Sequence, residues 1–230
     1  MHLTRRQVLL LLGLVPILFM VVFYVLPLGV VFEETMQGMQ QTLGRVDLLG
    51  KIAKPLGFTI YQALLSTILT VVVGFPIAYV FSHLEFKGKR FFNLAVTLPF
   101  ILPTVVVAAA LNSLFGSHGW VNILLVNVFH LQEAPLQWTN TLGIILVAHV
   151  FYNTSVFVRM VGAAWAQLDV QQEQAARVLG ANAWQRFRRV TLPLLKPSIL
   201  SALLMVFLFD FTSFGVILLL GGPSFSTLEV

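Results

Sequence analysis

The chain has 230 residues, of which 58% are hydrophobic and 10% charged, with a mean hydropathy of +0.90. A soluble domain carries about 25% charged residues, so this composition excludes an ordinary soluble globular protein and points to an integral membrane protein. The net charge of +5 is not in itself a mark of nucleic-acid binding, and the lack of cysteine excludes disulfides and thiolate metal sites.

Thr4-Arg5-Arg6-Gln7 precede an uncharged apolar run over 8–32. About 20 apolar residues cross a bilayer, so this run reads as a first span. A cleaved signal peptide is the competing reading, but the run is too long and no small-x-small cleavage site follows it. Residues 33–55 carry Glu33, Glu34, Arg45, Asp47, Lys51 and Lys54 and read as an outer polar loop. A second span covers 58–81, with Pro76 as a kink point. Lys87, Lys89 and Arg90 lie in the short loop 82–90. The third span is expected over 91–115, bent by Pro99 and Pro103. Trp120 and Trp138 in the loop 116–140 suit a membrane interface; the apolar stretch 121–129 is too short to span, and reads as an interfacial helix or part of a gate. The fourth span covers 141–158 and ends at Arg159. A polar island occupies 165–196. Pro197 and Ser198 open a fifth span that reaches residue 220, followed by the turn Gly221-Gly222-Pro223-Ser224. The fold class is all-α and polytopic.

Charge sorting gives this path a direction. With the N-terminus inside, eleven of the fourteen Lys and Arg residues fall on the inner side and only Arg45, Lys51 and Lys54 outside. That is the asymmetry of the positive-inside rule, and it places the polar island in the cytoplasm.

The island predicts a helix-turn-helix. Asp169 suits an N-cap, with Gln172 three residues on as in a capping box. Gly180 stops the first helix. Asn182 caps a second, with Gln185 in the matching position, and Pro193 is expected to end it. Trp184 and Phe187 suit a partner groove or, alternatively, anchorage at the membrane surface. Arg186, Arg188 and Arg189 set topology or touch anionic lipid.

Asp210 is the one carboxylate inside a span, and such a charge is costly enough to suggest a pathway, a cationic substrate or a subunit interface. A hydrogen-bonded packing role is the alternative. His149, with Asn153 one turn later, poses the same question more weakly. His118 and His130 show no metal-site spacing, and no catalytic constellation can be assembled. The sequence has no Gly-x-x-x-x-Gly-Lys-Ser/Thr phosphate loop, so ATP would have to be bound by another polypeptide.

The run Gln174-Ala175-Ala176-Arg177-Val178-Leu179-Gly180-Ala181, followed by Phe187 and Leu192-Pro193, resembles the EAA loop of ATP-binding-cassette importer permeases. Gln174 stands where that pattern has its first Glu, and Glu173 lies one position earlier. The stretch 206–222, with Phe207-Leu208-Phe209-Asp210, is similar to the span after that loop in permeases of the ferric-iron and thiamine type. Gly74-x-Pro76-x-Ala78-Tyr79 is similar to the start of the shared core. The resemblance implies a leading helix and outer loop over 1–56 and a permease core over 57–230. It implies that Glu173, Gln174, Ala175, Ala176, Gly180, Ala181, Trp184, Phe187, Leu192 and Pro193 form the docking loop for separate ATPase subunits. It further implies a multi-pass protein of the inner membrane, itself without cofactor, enzymatic activity or nucleic-acid partner. Substrate, with ferric iron first and thiamine or another small solute next, would arrive from an extracytoplasmic binding protein. A second permease core, in the same chain or another subunit, is expected, and the end at Val230 suggests a piece of a two-core permease. An ion-coupled carrier or channel with Asp210 and His149 as relay groups is the alternative; a membrane-embedded enzyme has least support.

Overall fold

The computed structural model describes residues 5–42, 48–225 and 227; side chains of 5–12, 39–42, 48–51 and Ser224 are not described. Arg45 and Asp47, and the side chains of Arg5, Arg6 and Lys51, thus lie outside the described residues. Among the described residues the secondary structure is helical throughout, and five helical stretches are long and apolar enough to cross a membrane: Gly13–Gly38, Ile52–His83, Thr104–Phe129, Leu142–Ala166 and Ala183–Phe211. The chain forms two compact units, Met1–Ala53 and Lys54–Val230.

In the first unit, α1 (Arg5–Met20) continues through a π-turn (Val21–Val25) into α2 (Leu26–Thr42). None of the apolar span within it is buried. A helix that is apolar all round and unburied has lipid or another polypeptide as its solvent.

The second unit holds most of α3 (Leu48–His83), then α4 (Lys89–Ile101), α5 (Thr104–Phe115), α6 (Trp120–Phe129), α7 (Leu142–Ala166), α8 (Val170–Val178), α9 (Ala183–Arg186), α10 (Leu192–Phe211) and α11 (Phe214–Leu220). The third span departs from the sequence expectation of 91–115, because the helix breaks at Leu102-Pro103. Pro103 forces its predecessor out of the helical region, and Leu102 is extended at φ −71°, ψ 133°. The 13 residues of α4 reach only about 20 Å. Thr104–Phe129 reaches spanning length only as a broken stretch, because Gly116 and Gly119 are extended between α5 and α6, and the 10 residues of α6 are too few to cross a bilayer alone. Asn122 fixes the following loop, donating to the carbonyls of Gly116 and Leu136 at 2.8 Å and accepting from the Leu136 N–H at 2.9 Å.

Two further boundaries are corrected. The fourth span does not end at Arg159 but continues to Ala166. The helix of the fifth span begins earlier and ends sooner than 197–220: the continuous helical stretch of spanning length is Ala183–Phe211, and its first part, with Arg186, Arg188 and Arg189, belongs to the polar island. Thr212 and Ser213 then interrupt the helix before α11; Thr212 Oγ1 turns back to the Leu208 carbonyl at 2.9 Å, competing with the helical ladder.

α7 is the central post. Near its start, Ile144, Ile145 and Ala148 pack with Val107, Ala108 and Leu111 of α5 and with Val216, Ile217 and Leu220 of α11. Near its end, Phe157, Val161 and Trp165 pack with Ala78 of α3 and with Leu195, Ala202 and Val206 of α10. The polar residues His149 and Asn153 lie between these two apolar clusters.

Candidate functional site

The polar island folds into a knob built by its own caps. Asp169 Oδ1 accepts the Gln171 N–H at 2.9 Å, one residue earlier than the expected capping box with Gln172. At the other end of α8, Gly180 takes φ +82°, the left-handed region open to glycine. Its N–H bonds to the Arg177 carbonyl and the Ala181 N–H to the Ala176 carbonyl, each at 3.0 Å, which is a complete Schellman motif. Asn182 then opens α9 with a reciprocal capping box: its Oδ1 accepts the Gln185 N–H at 2.8 Å, and its own N–H reaches Gln185 Oε1 at 3.0 Å.

Pro193 does not end this second helix. α9 runs through a π-turn (Phe187–Thr191) directly into α10, with the Leu192 N–H bonded to the Phe187 carbonyl five residues back. Pro193 has no N–H to return to the preceding turn and its ring crowds that turn's carbonyl; a widened turn accommodates both defects without stopping the helix. The second half of the knob is therefore one rigid body with the fifth span.

The predicted docking residues divide on exposure. Gln174, Ala175, Gly180, Trp184 and Pro193 are exposed. Glu173, Ala176, Ala181, Phe187 and Leu192 are half-buried. Glu173 is tied inward, its Oε1 accepting the buried Thr191 hydroxyl at 2.5 Å, which fastens α8 to the π-turn. Phe187 packs within this chain, its ring centroid 6.1 Å from Phe75 of α3 and 6.3 Å from Trp165 of α7. Trp184 rests against Phe187 with ring centroids 5.8 Å apart and stays 64% exposed. Val178 and Leu179, absent from the predicted docking set, are 88% and 87% exposed at the tip. Their signal in the sequence is two adjacent apolar residues just before the glycine of an otherwise polar loop. Leu179, Gly180, Ala181, Gln185 and Arg189 line a notch of about 300 Å³ there.

Asp210, His149 and Asn153 are brought together. All three are buried. Asn153 Nδ2 donates to Asp210 Oδ1 at 2.5 Å. His149 Nδ1 stands 3.5 Å from the same oxygen, outside hydrogen-bond geometry, while its Nε2 lies 2.7 Å from Ser213 Oγ in the α10–α11 break. Gln62 of α3, not among the residues expected here, donates to the backbone carbonyl of Asp210 at 2.8 Å. That carbonyl belongs to the last turn of α10, where intrahelical donors run out. Ser66 stands beside the carboxylate without closing a hydrogen bond, and Asp210 Oδ2 has no partner. The cluster thus ties α3 and α7 to the broken end of α10.

A pocket of about 300 Å³ lies against this cluster, lined by Leu102 and Thr104 at the α4–α5 break, by His149, Tyr152 and Asn153, and by Asp210 and Ser213 at the α10–α11 break. Tyr152 donates to the Leu102 carbonyl at 3.2 Å. Both interruptions of the helices therefore border one cavity. Non-helical backbone at membrane depth is tolerated where it is buried in protein or faces a water-filled cavity.

Residues 70–228 match the family model described as binding-protein-dependent transport system inner membrane component. The chain belongs to this family. It is 32% identical over 201 residues to a probable sulfate transport system permease protein of Prototheca wickerhamii, covering 85% of this permease and 74% of the relative. It is 34% identical over 176 residues to the thiamine transport system permease protein of Haemophilus influenzae, covering 75% of this permease but 32% of that one. The thiamine permease of Escherichia coli gives 32% over 177 residues, with the same coverage of 75% and 32%. This permease thus spans about a third of the length of its thiamine relatives. In architecture it resembles a bacterial transporter for import of the polysaccharide alginate, with a TM-score of 0.62, 22% identity and coverage of 95% of this chain and 79% of that one. The complex of the alginate transporter with its periplasmic protein gives a TM-score of 0.68, also at 22% identity, over 95% and 78% of the two chains. The permease is a transport subunit of the ATP-binding-cassette importer type, not itself an enzyme.

Proposed function

We propose that this permease carries a small solute, delivered by an extracytoplasmic binding protein, and is driven by a separate ATPase that docks on residues 169–193. The N-terminus and the knob face the cytoplasm, in keeping with the eleven-to-three distribution of basic residues. A second permease core completes the pathway. The observation that carries this reading is the tip of the knob. Val178, Leu179 and Trp184 are left in the open on a loop whose backbone is fixed by a Schellman motif and a capping box. A preorganised surface with a few exposed apolar anchors suits a protein partner, because little ordering entropy is lost on docking. The Glu173–Thr191 bond, the packing of Phe187 and the continuous helix through the π-turn connect that surface to the spans.

Among solutes, the relatives described above point to the size range of sulfate and thiamine. Ferric iron has no support among them. The chain has no cysteine, so Leu179→Cys places a single attachment point for a cross-linker in this chain. A thiol-reactive photo-cross-linker at that position is expected to capture a P-loop ATPase in native membranes, whereas the same reagent on Trp120→Cys is not. Equal capture at both positions, or at neither, contradicts docking on the knob.

A further inference from the structure

The pocket beside Asp210 is one of two cavities along the same face of α7. The second, about 590 Å³, is lined by Ser155, Val156, Arg159, Met160 and Ala163 of α7 and by Met205 of α10. Along α7 the first cavity takes His149, Tyr152 and Asn153 and the second takes residues 155–163. Along α10 the second takes Met205 and the first takes Asp210 and then Ser213. The two cavities are therefore in series down the helices. They share two lining residues, Phe100 of α4 and Phe209 of α10. Those rings are tilted to one another with centroids 6.2 Å apart, and both are exposed, Phe100 by 52% and Phe209 by 37%.

The larger cavity is an open cleft lined mainly by apolar atoms, and its polar groups are Ser155 and Arg159. Arg159 is exposed in the larger cavity, inside a helix of spanning length, and makes no ion pair among the described residues. Arg159 is one of the eleven basic residues on the cytoplasmic side, so the larger cavity opens toward that interface. The smaller cavity presents His149, Tyr152 and Ser213 beside two interruptions of the helical backbone. A polar cleft and an arginine-bearing cleft that meet at a pair of phenylalanines have the form of a path with a hydrophobic constriction, which blocks water and solutes by dewetting.

We propose that Phe100 and Phe209 form the gate of the solute pathway in this permease core, where the Asp210 cleft and the Arg159 cleft meet. This rests on the transport reading above. Opening the gate requires α4 and α10 to part. Phe209 lies on the same continuous helix as the knob, so movement of the knob bears on it directly.

The test uses the complete transporter, with any cysteines outside this chain replaced. Ser213→Cys and Met205→Cys are expected to react with a water-soluble maleimide from opposite sides of the membrane. In a Phe100→Ala/Phe209→Ala background, reagent on one side is expected to reach both. Protection of both positions from either side means that the groove faces lipid, and overturns the proposal; so does unchanged sidedness in the double-alanine background. In a second arm, Phe100→Cys/Phe209→Cys is joined by a reducible bifunctional thiol reagent, which is expected to abolish uptake until reductant is added. Phe81→Cys/Phe86→Cys, whose native rings are 6.0 Å apart and line neither cavity, is expected to tolerate the same treatment. Full uptake through a joined Phe100–Phe209 pair overturns the gate. Loss of ATP-dependent uptake by the unmodified transporter would instead count against the transport reading, and the accessibility arm still decides the gate.

Discussion

Gly74 and Gly180 lack a side chain for different reasons. A Cβ on Gly74 would lie 2.7 Å from Cδ1 of Phe157, a fully buried ring that has no free end to swing away. Gly74→Ala is therefore expected to cost about 1–3 kcal/mol as overpacking between α3 and α7, read as a lower midpoint of thermal unfolding in detergent. Gly180 has nothing within 4 Å of an added Cβ, and its constraint is its backbone at φ +82°. Gly180→Val is expected to cost about 1–2 kcal/mol locally, while Gly180→Asn, which tolerates the left-handed region, costs less. Protease sensitivity of the loop separates the two variants. Asp210 offers a third residue-scale test. Its carboxylate is fully buried and accepts from Asn153, a bond that needs an acceptor oxygen rather than a charge. Asp210→Asn is expected to fold and to retain uptake, whereas Asp210→Leu strands the Asn153 amide at about 1–3 kcal/mol. Loss of uptake in a well-folded Asp210→Asn protein would return the carboxylate to the role of a relay. The sequence displayed Asp210, His149 and Asn153, because polar residues stand out in an apolar run. It concealed Gln62 and Ser213, whose importance comes from packing across helices that lie far apart in the chain.

At the scale of elements, the caps were legible and the interruptions only partly so. Gly180 and the Asn182/Gln185 pair act through local chemistry, and the structure places both as the sequence implied. Asn182→Ala is expected to remove about 1 kcal/mol and to fray α9, measurable as faster amide exchange over 183–186. Pro193 misled because a proline after a polar helix has two outcomes, termination or a widened turn. The choice depends on Phe187 being held by Phe75 and Trp165, and on Thr191 being held by Glu173. Pro193→Ala restores a backbone donor and allows the π-turn to relax to an α-turn. That would rotate Trp184 and the tip relative to α10, and uptake is expected to fall while the chain still folds. The break at Leu102-Pro103 was signalled by its proline and was nevertheless assigned to a bent continuous span. The break at Thr212-Ser213 had no comparable signal, since it rests on hydroxyl groups and on tertiary partners.

At the scale of the whole molecule, composition alone established a polytopic helical membrane protein, and the periodic fixed positions of the polar island carried the family. Five stretches of spanning length bear out the class, although the third and fifth are displaced from their expected bounds. What could not be read from the sequence is how the broken helices converge, because that depends on α4, α7 and α10 packing side by side. ATP-driven transport through this core depends on one association, that of the exposed tip of the knob with a separate ATPase. The direct measurement is gentle detergent purification of the native gene product, with identification of its co-eluting proteins, compared between the natural sequence and Leu179→Glu. A P-loop ATPase is expected in the first preparation and its loss from the second, with the permease still folded and inserted. Absence of an ATPase from the natural protein, or its full retention by the Leu179→Glu variant, would contradict that association.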